Sequence, residues 1–260
     1  MQKNINKIIL ITCVSLCVFV LVPAQTHSSN SSKEHKSHWS YSGKTGPEYW
    51  SEINTAYSLC NNGREQSPVD FGKAELIKLE PIKFDYKNSP LNLINNGHTI
   101  QENISNESNL IIDGKKYHLV QFHFHTPGEH TVNGHHYEME LHFVNQDAEG
   151  KYAVVGVFFT KGKFNKELQK IIDNLPEKVN KMVKNNSIEI DLENLLPGSR
   201  SYYHYTGSLT TPPCSENINW NVFKTPLEAS AKQMEALKAV MGSNSRPVQK
   251  LYKRIVYEAK

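Results

Sequence analysis

Gln121-Phe122-His123-Phe124-His125 places two imidazoles two residues apart with an aromatic ring between them. Residues i and i+2 of a β-strand share a face. The stretch therefore predicts a strand with Gln121, His123 and His125 on one side and Val120, Phe122 and Phe124 turned into a core. A second run, Tyr137 to Val144, alternates in the same way, with Met139, Leu141 and Phe143 against Glu138, Glu140 and His142. Pairing the two strands brings His142 onto the face of His123 and His125. Three neutral imidazoles with one vacant position are the donor set of a catalytic zinc site, whereas structural zinc sites are closed by four protein ligands. A lone His-x-His would carry little weight, since strand histidines are more often structural than ligating. Gln121 and Glu140 strengthen this one. Each stands two residues before a His on the same face, where the acceptor for the second ring N–H of a metal-bound imidazole belongs.

Working outward, the competing ligands are His130, His135 and His136. Asn133-Gly134 reads as the turn of the hairpin joining the two strands, which leaves His135 and His136 at an exposed end. His130, in Gly128-Glu129-His130-Thr131, reads as a buried polar support. Downstream, Ser208-Leu209-Thr210-Thr211-Pro212-Pro213 sets two hydroxyls before two prolines. This makes either a rigid loop with fixed donors or simply a turn.

The flanking elements read as a β-rich domain. Ile82 to Tyr86, Leu91 to Ile94, His98 to Glu102 and Leu110 to Ile112 are short strand candidates separated by Asn, Gly, Pro and Ser, with a tight turn at Asn95-Asn96-Gly97. Tyr152 to Phe159 is a fully buried strand, and Tyr202 to Tyr205 and Ile218 to Phe223 add two more. Phe164 to Leu175 and Thr225 to Met241 are predicted as helices, the second with a Pro in its first turn. No internal repeat and no break in composition divides the chain, so one domain on a large sheet is expected.

The chain of 260 residues, 38% hydrophobic and 21% charged, suits a globular fold, and a formal charge of +3 gives no nucleic-acid signal. Lys3 and Lys7 precede an uncharged run of fifteen residues, Ile8 to Val22, with small residues at Val22-Pro23-Ala24. A membrane span needs roughly 20 apolar residues, so residues 1–24 read as a secretory signal peptide and no membrane segment remains after its removal. Residues 25–37 are Ser, Asn, His and Lys and read as a flexible lead-in; the domain is expected over 38–260. Export to the periplasm or the medium leaves Cys60 and Cys214, an even pair in an oxidising compartment. A disulfide between them is expected, the other reading being two buried thiols.

Taken in order, Arg-Glu-Gln-Ser-Pro-Val (64–69), Asn-Asn-Gly-His (95–98), Gln-Phe-His-Phe-His (121–125), Gly-Glu-His-Thr-Val (128–132), Glu-Leu-His-Phe-Val (140–144) and Ser-Leu-Thr-Thr-Pro-Pro (208–213) resemble the α-class carbonic anhydrases. The resemblance spans about Trp39 to Arg254. The cysteine pair and the Thr-Pro after His125 are similar to the exported bacterial members. The resemblance implies a single domain around a large, twisted, mainly antiparallel central β-sheet with short peripheral helices. It implies reversible hydration of carbon dioxide to bicarbonate and a proton, by attack of zinc-bound hydroxide. His123, His125 and His142 would hold Zn2+. Thr210 would accept from the hydroxide and pass its own proton toward Glu129. Thr211 would contact bicarbonate, and Val144, Val154, Leu209 and Trp220 would line the pocket for carbon dioxide. His98 matches the proton shuttle, with Tyr41 and Gln101 holding the water chain; family members often carry Asn where Gln101 stands. A non-enzymatic binding domain and a zinc esterase are the rival readings, and a monomer or homodimer is expected.

Overall fold

How distant histidines meet is a matter of strand order. The computed structural model describes residues 38–259. The expected signal peptide and lead-in lie outside the described residues. Short helical turns come first, among them α1 (Trp50–Ile53) and α2 (Leu59–Asn62). The strands are β1 (Ala74–Ile77), β2 (Lys83–Asp85), β3 (Ser89–Asn95), β4 (Ile100–Asn103), β5 (Asn109–Ile112), β6 (Lys115–His125), β7 (Thr131–Val132), β8 (His135–His136), β9 (Met139–Gln146) and β10 (Tyr152–Lys161). After α3 (Lys166–Ile172) come β11 (Met182–Ile190), β12 (Tyr202–Ser208), β13 (Glu216–Ala229), α4 (Ala231–Met241) and β14 (Val256–Ala259). Twelve strands form one sheet in the order β1-β14-β12-β13-β10-β9-β6-β4-β3-β11, with β5 beside β6 and β2 beside β5. The β1–β14 and β10–β13 pairs are parallel, and the other described pairs are antiparallel. This is the large, mainly antiparallel sheet with few short helices that the sequence predicts.

Alternation on the central strands sorts two cores. Phe122, Phe124, Leu141, Phe143, Val155 and Val157 pack on one face together with Leu168 and Ile171 of α3 and Leu237 of α4. Val144, Val154, Phe158 and Trp220 pack on the other. Burying each such side chain contributes about 1.5–3 kcal/mol, which fixes the strand register firmly.

The expected place of Val120 is wrong. Register between β6 and β9 shifts by one between Leu119 and Gln121. Tyr117 and Leu119 are buried before the shift, Phe122 and Phe124 after it, and Val120 is extruded, 39% exposed. A β-bulge inserts one unpaired residue and re-aims the side chains beyond it. Here it reverses the side-chain parity, so that β6 serves the core at both ends yet turns Gln121, His123 and His125 to the opposite face.

Other expectations are trimmed. Thr225 to Met241 is not one helix: β13 runs on to Ala229 and α4 begins at Ala231. Pro226 sits where the register with β10 jumps from Phe223↔Val157 to Leu227↔Phe159, a place where a strand tolerates proline. The real start signal is Ser230, whose hydroxyl accepts from the Gln233 amide at 3.4 Å while Gln233 Oε1 accepts from the Ser230 amide at 3.1 Å. The helix expected over Phe164 to Leu175 is the shorter α3, capped by the Asn165 side chain at 3.0 Å from Leu168 N. His98 lies in the turn before β4 rather than on the strand. Asn133 and Gly134, with φ of 52° and 78°, turn a separate two-stranded ribbon, β7–β8. Cys60 and Cys214 are bonded, which rules out the free-thiol reading. A loop of 154 residues closed this way gains roughly 4–5 kcal/mol on the chain-entropy model.

Candidate metal centre and adjoining pocket

In the β6–β9 register His123 stands directly opposite His142, and His125 opposite Glu140. The ligand nitrogens of His123, His125 and His142 lie within 4.8 Å of one another. Each ring is fixed by one hydrogen bond. His123 Nδ1–H donates to Gln121 Oε1 at 2.8 Å, His125 Nδ1–H to the Asn244 carbonyl at 2.8 Å, and His142 Nε2–H to Glu140 Oε1 at 2.9 Å. The opposite nitrogens, Nε2 of His123 and His125 and Nδ1 of His142, are left as lone-pair donors. His125 Nε2 is buried without a hydrogen-bond partner, an arrangement that costs about 1–3 kcal/mol per group. Burial pushes all three imidazoles below the ordinary histidine range, His125 to about 4 and His123 furthest. They are neutral at pH 7, the form in which imidazole binds metal. A divalent cation satisfies the orphaned nitrogen and the facing lone pairs together, so the residues present fit a zinc ion.

Glu140 anchors the centre from behind. Its Oε1 accepts from His142 and from His130 Nδ1–H at 2.7 Å, and its Oε2 accepts the amides of Glu129 and His130 at 2.8 and 2.9 Å. Burial raises its carboxyl, but the two histidines and these donors outweigh that and hold it well below the usual carboxylate range. Gly156 of β10 makes room for it: a Cβ there would sit 3.1 Å from Glu140 Oε1 and 3.0 Å from Val222. His130, buried as expected, takes the Tyr205 hydroxyl on Nε2 at 2.6 Å, and Tyr205 meets the Ser67 hydroxyl at 2.7 Å. Ser67 and Ser208 exchange backbone-to-hydroxyl bonds at 2.9 and 3.0 Å. One buried chain of hydrogen bonds thus runs from His142 to the residue two before Thr210.

Glu129 is also fully buried. Its Oε1 accepts the Arg246 amide at 2.8 Å and its Oε2 lies 3.9 Å from His142 Nδ1. Burial pushes its carboxyl up to about 7 against the pull of His142, the Arg246 amide and the nearby Thr210 hydroxyl, and its Oε2 is buried without a hydrogen-bond partner. The loop carrying Thr210 is closed by backbone bonds from Leu209 N to Ser215 O and from Cys214 N to Thr211 O, both 2.9 Å. The disulfide ties the same loop to α2.

A cavity of about 230 Å³ opens beside the histidines, lined by Val120, Gln121, His123, His142, Val144, Tyr152, Val154, Leu209, Thr210, Thr211 and Trp220. Every expected apolar wall residue is there. The Trp220 ring stands edge-on to His142, 4.9 Å between centroids, held by its Nε1–H on the Ser208 carbonyl at 2.9 Å. The bulge explains why Val120 reaches this wall; Tyr152 was not foreseen, as nothing in its local pattern distinguishes it.

His98, Tyr41 and Gln101 do not line the cavity. Gln101 is paired with His123 across β4–β6 and donates to Asn103 Oδ1 at 2.7 Å. Tyr41 packs edge-on to Trp39 and Trp50, and its phenol is pushed well above the usual range by burial and then by the charge of Glu129. The His98 ring stacks on Trp39 with centroids 3.6 Å apart and planes 5° from parallel, and His38 stands beyond at 5.9 Å. Burial and the neighbouring His38 lower the His98 pKa. Asn244 and Arg246, both buried, were missed because what each gives the centre itself is a main-chain group, the Asn244 carbonyl and the Arg246 amide, which no side-chain pattern marks.

A three-imidazole centre on a broad sheet, opening on a small apolar pocket, describes an enzyme that would act on a small, uncharged substrate with the help of a metal. A family model for eukaryotic-type carbonic anhydrase matches residues 45–260. A carbonic anhydrase of Klebsiella pneumoniae is 43% identical over 85% of this chain and 91% of its own length, and one of Nostoc sp. is 40% identical over 99% and 96%. The solved α-carbonic anhydrase of Thermovibrio ammonificans, in complex with the inhibitor sulfanilamide, superposes with a TM-score of 0.82 at 46% identity, covering 85% of this chain and 99% of that one. The chain belongs to the α-carbonic anhydrase family, enzymes of carbon dioxide hydration that in general carry zinc. Among the described residues no helix is long and apolar enough to cross a membrane.

Proposed function

We propose that this enzyme is exported and hydrates carbon dioxide reversibly with a zinc ion held by His123, His125 and His142. The observation that carries the reading is the set of three inward ring nitrogens, each left as a lone pair because the opposite nitrogen is committed as a donor. When bound, zinc would supply a Lewis acid that lowers the pKa of water to about 7, a magnitude for which carbonic anhydrases are themselves the reference case. Gln121, Glu140 and the Asn244 carbonyl keep the three rings from turning. The Thr210 hydroxyl, by turning its proton toward the unpartnered Glu129 Oε2, is left to accept from the attacking oxygen and so aims it at the substrate carbon. A cation at the centre favours the ionised form of Glu129, which that arrangement requires.

Val144, Val154, Leu209 and Trp220 offer carbon dioxide, which has no charge to grip, a wall without competing donors. Thr211, at the same wall, contacts the bicarbonate product. Tyr41 and Gln101 hold the water path along which the released proton reaches His98. With its pKa lowered, His98 is neutral at pH 7 and free to accept that proton before passing it to buffer. The Cys60–Cys214 disulfide supports export. Zinc analysis and stopped-flow hydration of the purified protein test the reading. One zinc per chain is expected, with hydration that chelation abolishes and zinc restores; hydration at the uncatalysed rate with zinc bound would overturn it. N-terminal sequencing of the protein from cell fractions tests export, and an unprocessed cytoplasmic chain would sink that part.

A further inference from the structure

Asn244 lies just past α4 and is 1% exposed. Its side chain takes no part in the proposed reaction, yet every polar atom of it is used. Oδ1 accepts the Thr126 amide at 2.8 Å, and Nδ2 donates to the Phe124 carbonyl at 2.8 Å and to the His98 carbonyl at 3.0 Å. Its own carbonyl accepts from His125 Nδ1–H at 2.8 Å. An amide side chain has one acceptor oxygen and two donor hydrogens. Here the hydrogens go to two different elements, the end of β6 and the turn that carries His98.

The amides at the tip of that turn are held from within it. Asn96 Oδ1 accepts the amides of His98 and Thr99 at 3.0 and 2.9 Å, and Asn95 Oδ1 accepts the Gly97 amide at 3.0 Å. Thr99 is joined to Phe124 by its hydroxyl, at 2.6 Å to the carbonyl and 3.2 Å from the amide. Among the described residues, the bond from Asn244 is the hydrogen bond by which another element grips the His98 backbone itself. The donor, Asn244 Nδ2, belongs to a buried side chain, and a buried donor that loses its acceptor is costly, so this bond holds His98 at a set place relative to His125.

We infer that the Asn244 side chain is a positioning residue that registers the His98 turn against the histidine centre, so that one amide sets both the orienting carbonyl of a metal ligand and the seat of the proton acceptor. The inference rests on the reading of His98 as the shuttle only for its kinetic consequence; the mechanical claim stands apart. Asn244→Ala and Asn244→Ser, the second keeping a hydroxyl near Thr126 N in case the first does not fold, are compared with the parent and with His98→Ala. Amide hydrogen exchange, read by NMR on zinc-free and zinc-loaded protein, should quicken about tenfold or more at His98 and Thr99 while β9 keeps its protection. Turnover in weak buffer should fall about tenfold and recover with added imidazole, whereas kcat/KM at high buffer falls several-fold less. Unchanged exchange at His98 in a folded variant overturns the proposal, as does quickened exchange that spreads equally to β9. If His98→Ala itself turns over normally in weak buffer, the shuttle reading fails, and the exchange rates alone decide the role of Asn244.

Discussion

The histidines of the centre and the histidine of the turn are held in opposite ways. His123, His125 and His142 lie on paired strands in the middle of the sheet, each ring fixed by a hydrogen bond of 2.8–2.9 Å. Seven of the eight residues of β9 are buried. His98 stands in a turn, half-buried, its ring lying flat on Trp39 with no ring nitrogen bonded to protein among the described residues. A hydrogen bond fixes the direction of a ring nitrogen, whereas stacking leaves the ring free to slide and swing. Metal ligands need the first kind of restraint, and a group that must take a proton inside and deliver it outside needs the second.

The largest break in this contrast comes from the rigid side. His142→Ala removes one donor of three; zinc content falls to near zero and CO2 hydration to background, checked by metal analysis and stopped flow. Thr210→Ala keeps the metal and loses the aim of the nucleophile, lowering kcat/KM by roughly 100- to 1,000-fold, as for loss of an oriented transition-state partner. His98→Ala tests the mobile side: turnover in weak buffer drops about 100-fold, the low end for a positioned acid–base group, while imidazole restores it and kcat/KM stays nearer the parent value.

The smallest effect is on stability and sharpens the boundary between the two regions. Glu102 of β4 is buried, with both carboxylate oxygens 2.9 Å from a single donor, the Asn92 amide, and burial pushes its pKa up to about 8. The folded state therefore holds a proton that the unfolded chain, ionising near 4.5, gives up. Stability from this group is intact below pH 4.5 and is lost as pH rises through 8, by at most a few kcal/mol. Glu102→Gln should flatten that decline, gaining on the parent between pH 5 and pH 9 in urea unfolding. An equal difference at both pH values would remove Glu102 as the cause.

Much of this was legible because it is written in alternation. The period of two in Gln121 to His125 and Glu138 to Val144 gave the facing strands and the three histidines, and Gln121 and Glu140 were placed by the same count. Alternation could not reveal the bulge at Val120, since an extra residue leaves no mark until a partner strand is fixed. It also could not reveal Asn244 or Arg246, which meet His125 and Glu129 through a main-chain carbonyl and a main-chain amide. β11 went unread because Lys184-Asn185-Asn186 looks like a loop; it is an edge strand paired to β3 alone, and polar residues guard such edges. The wall residues Val144, Val154, Leu209 and Trp220 came from family resemblance, because a pocket is a meeting of strands that no single run of sequence describes.

The sheet order has a consequence for how the enzyme comes together. β1 lies against β14 and β10 against β13, and Gln66 is bonded to Arg246 across 180 positions. Pairings between distant parts of a chain form slowly. The nest of acceptors around the three rings draws on Gln121 at one end and Asn244 at the other, so no early fragment of the polypeptide owns it. A chain cut short before Asn244 would lack the acceptor for the His125 ring and leave only two of the three rings oriented by a hydrogen bond.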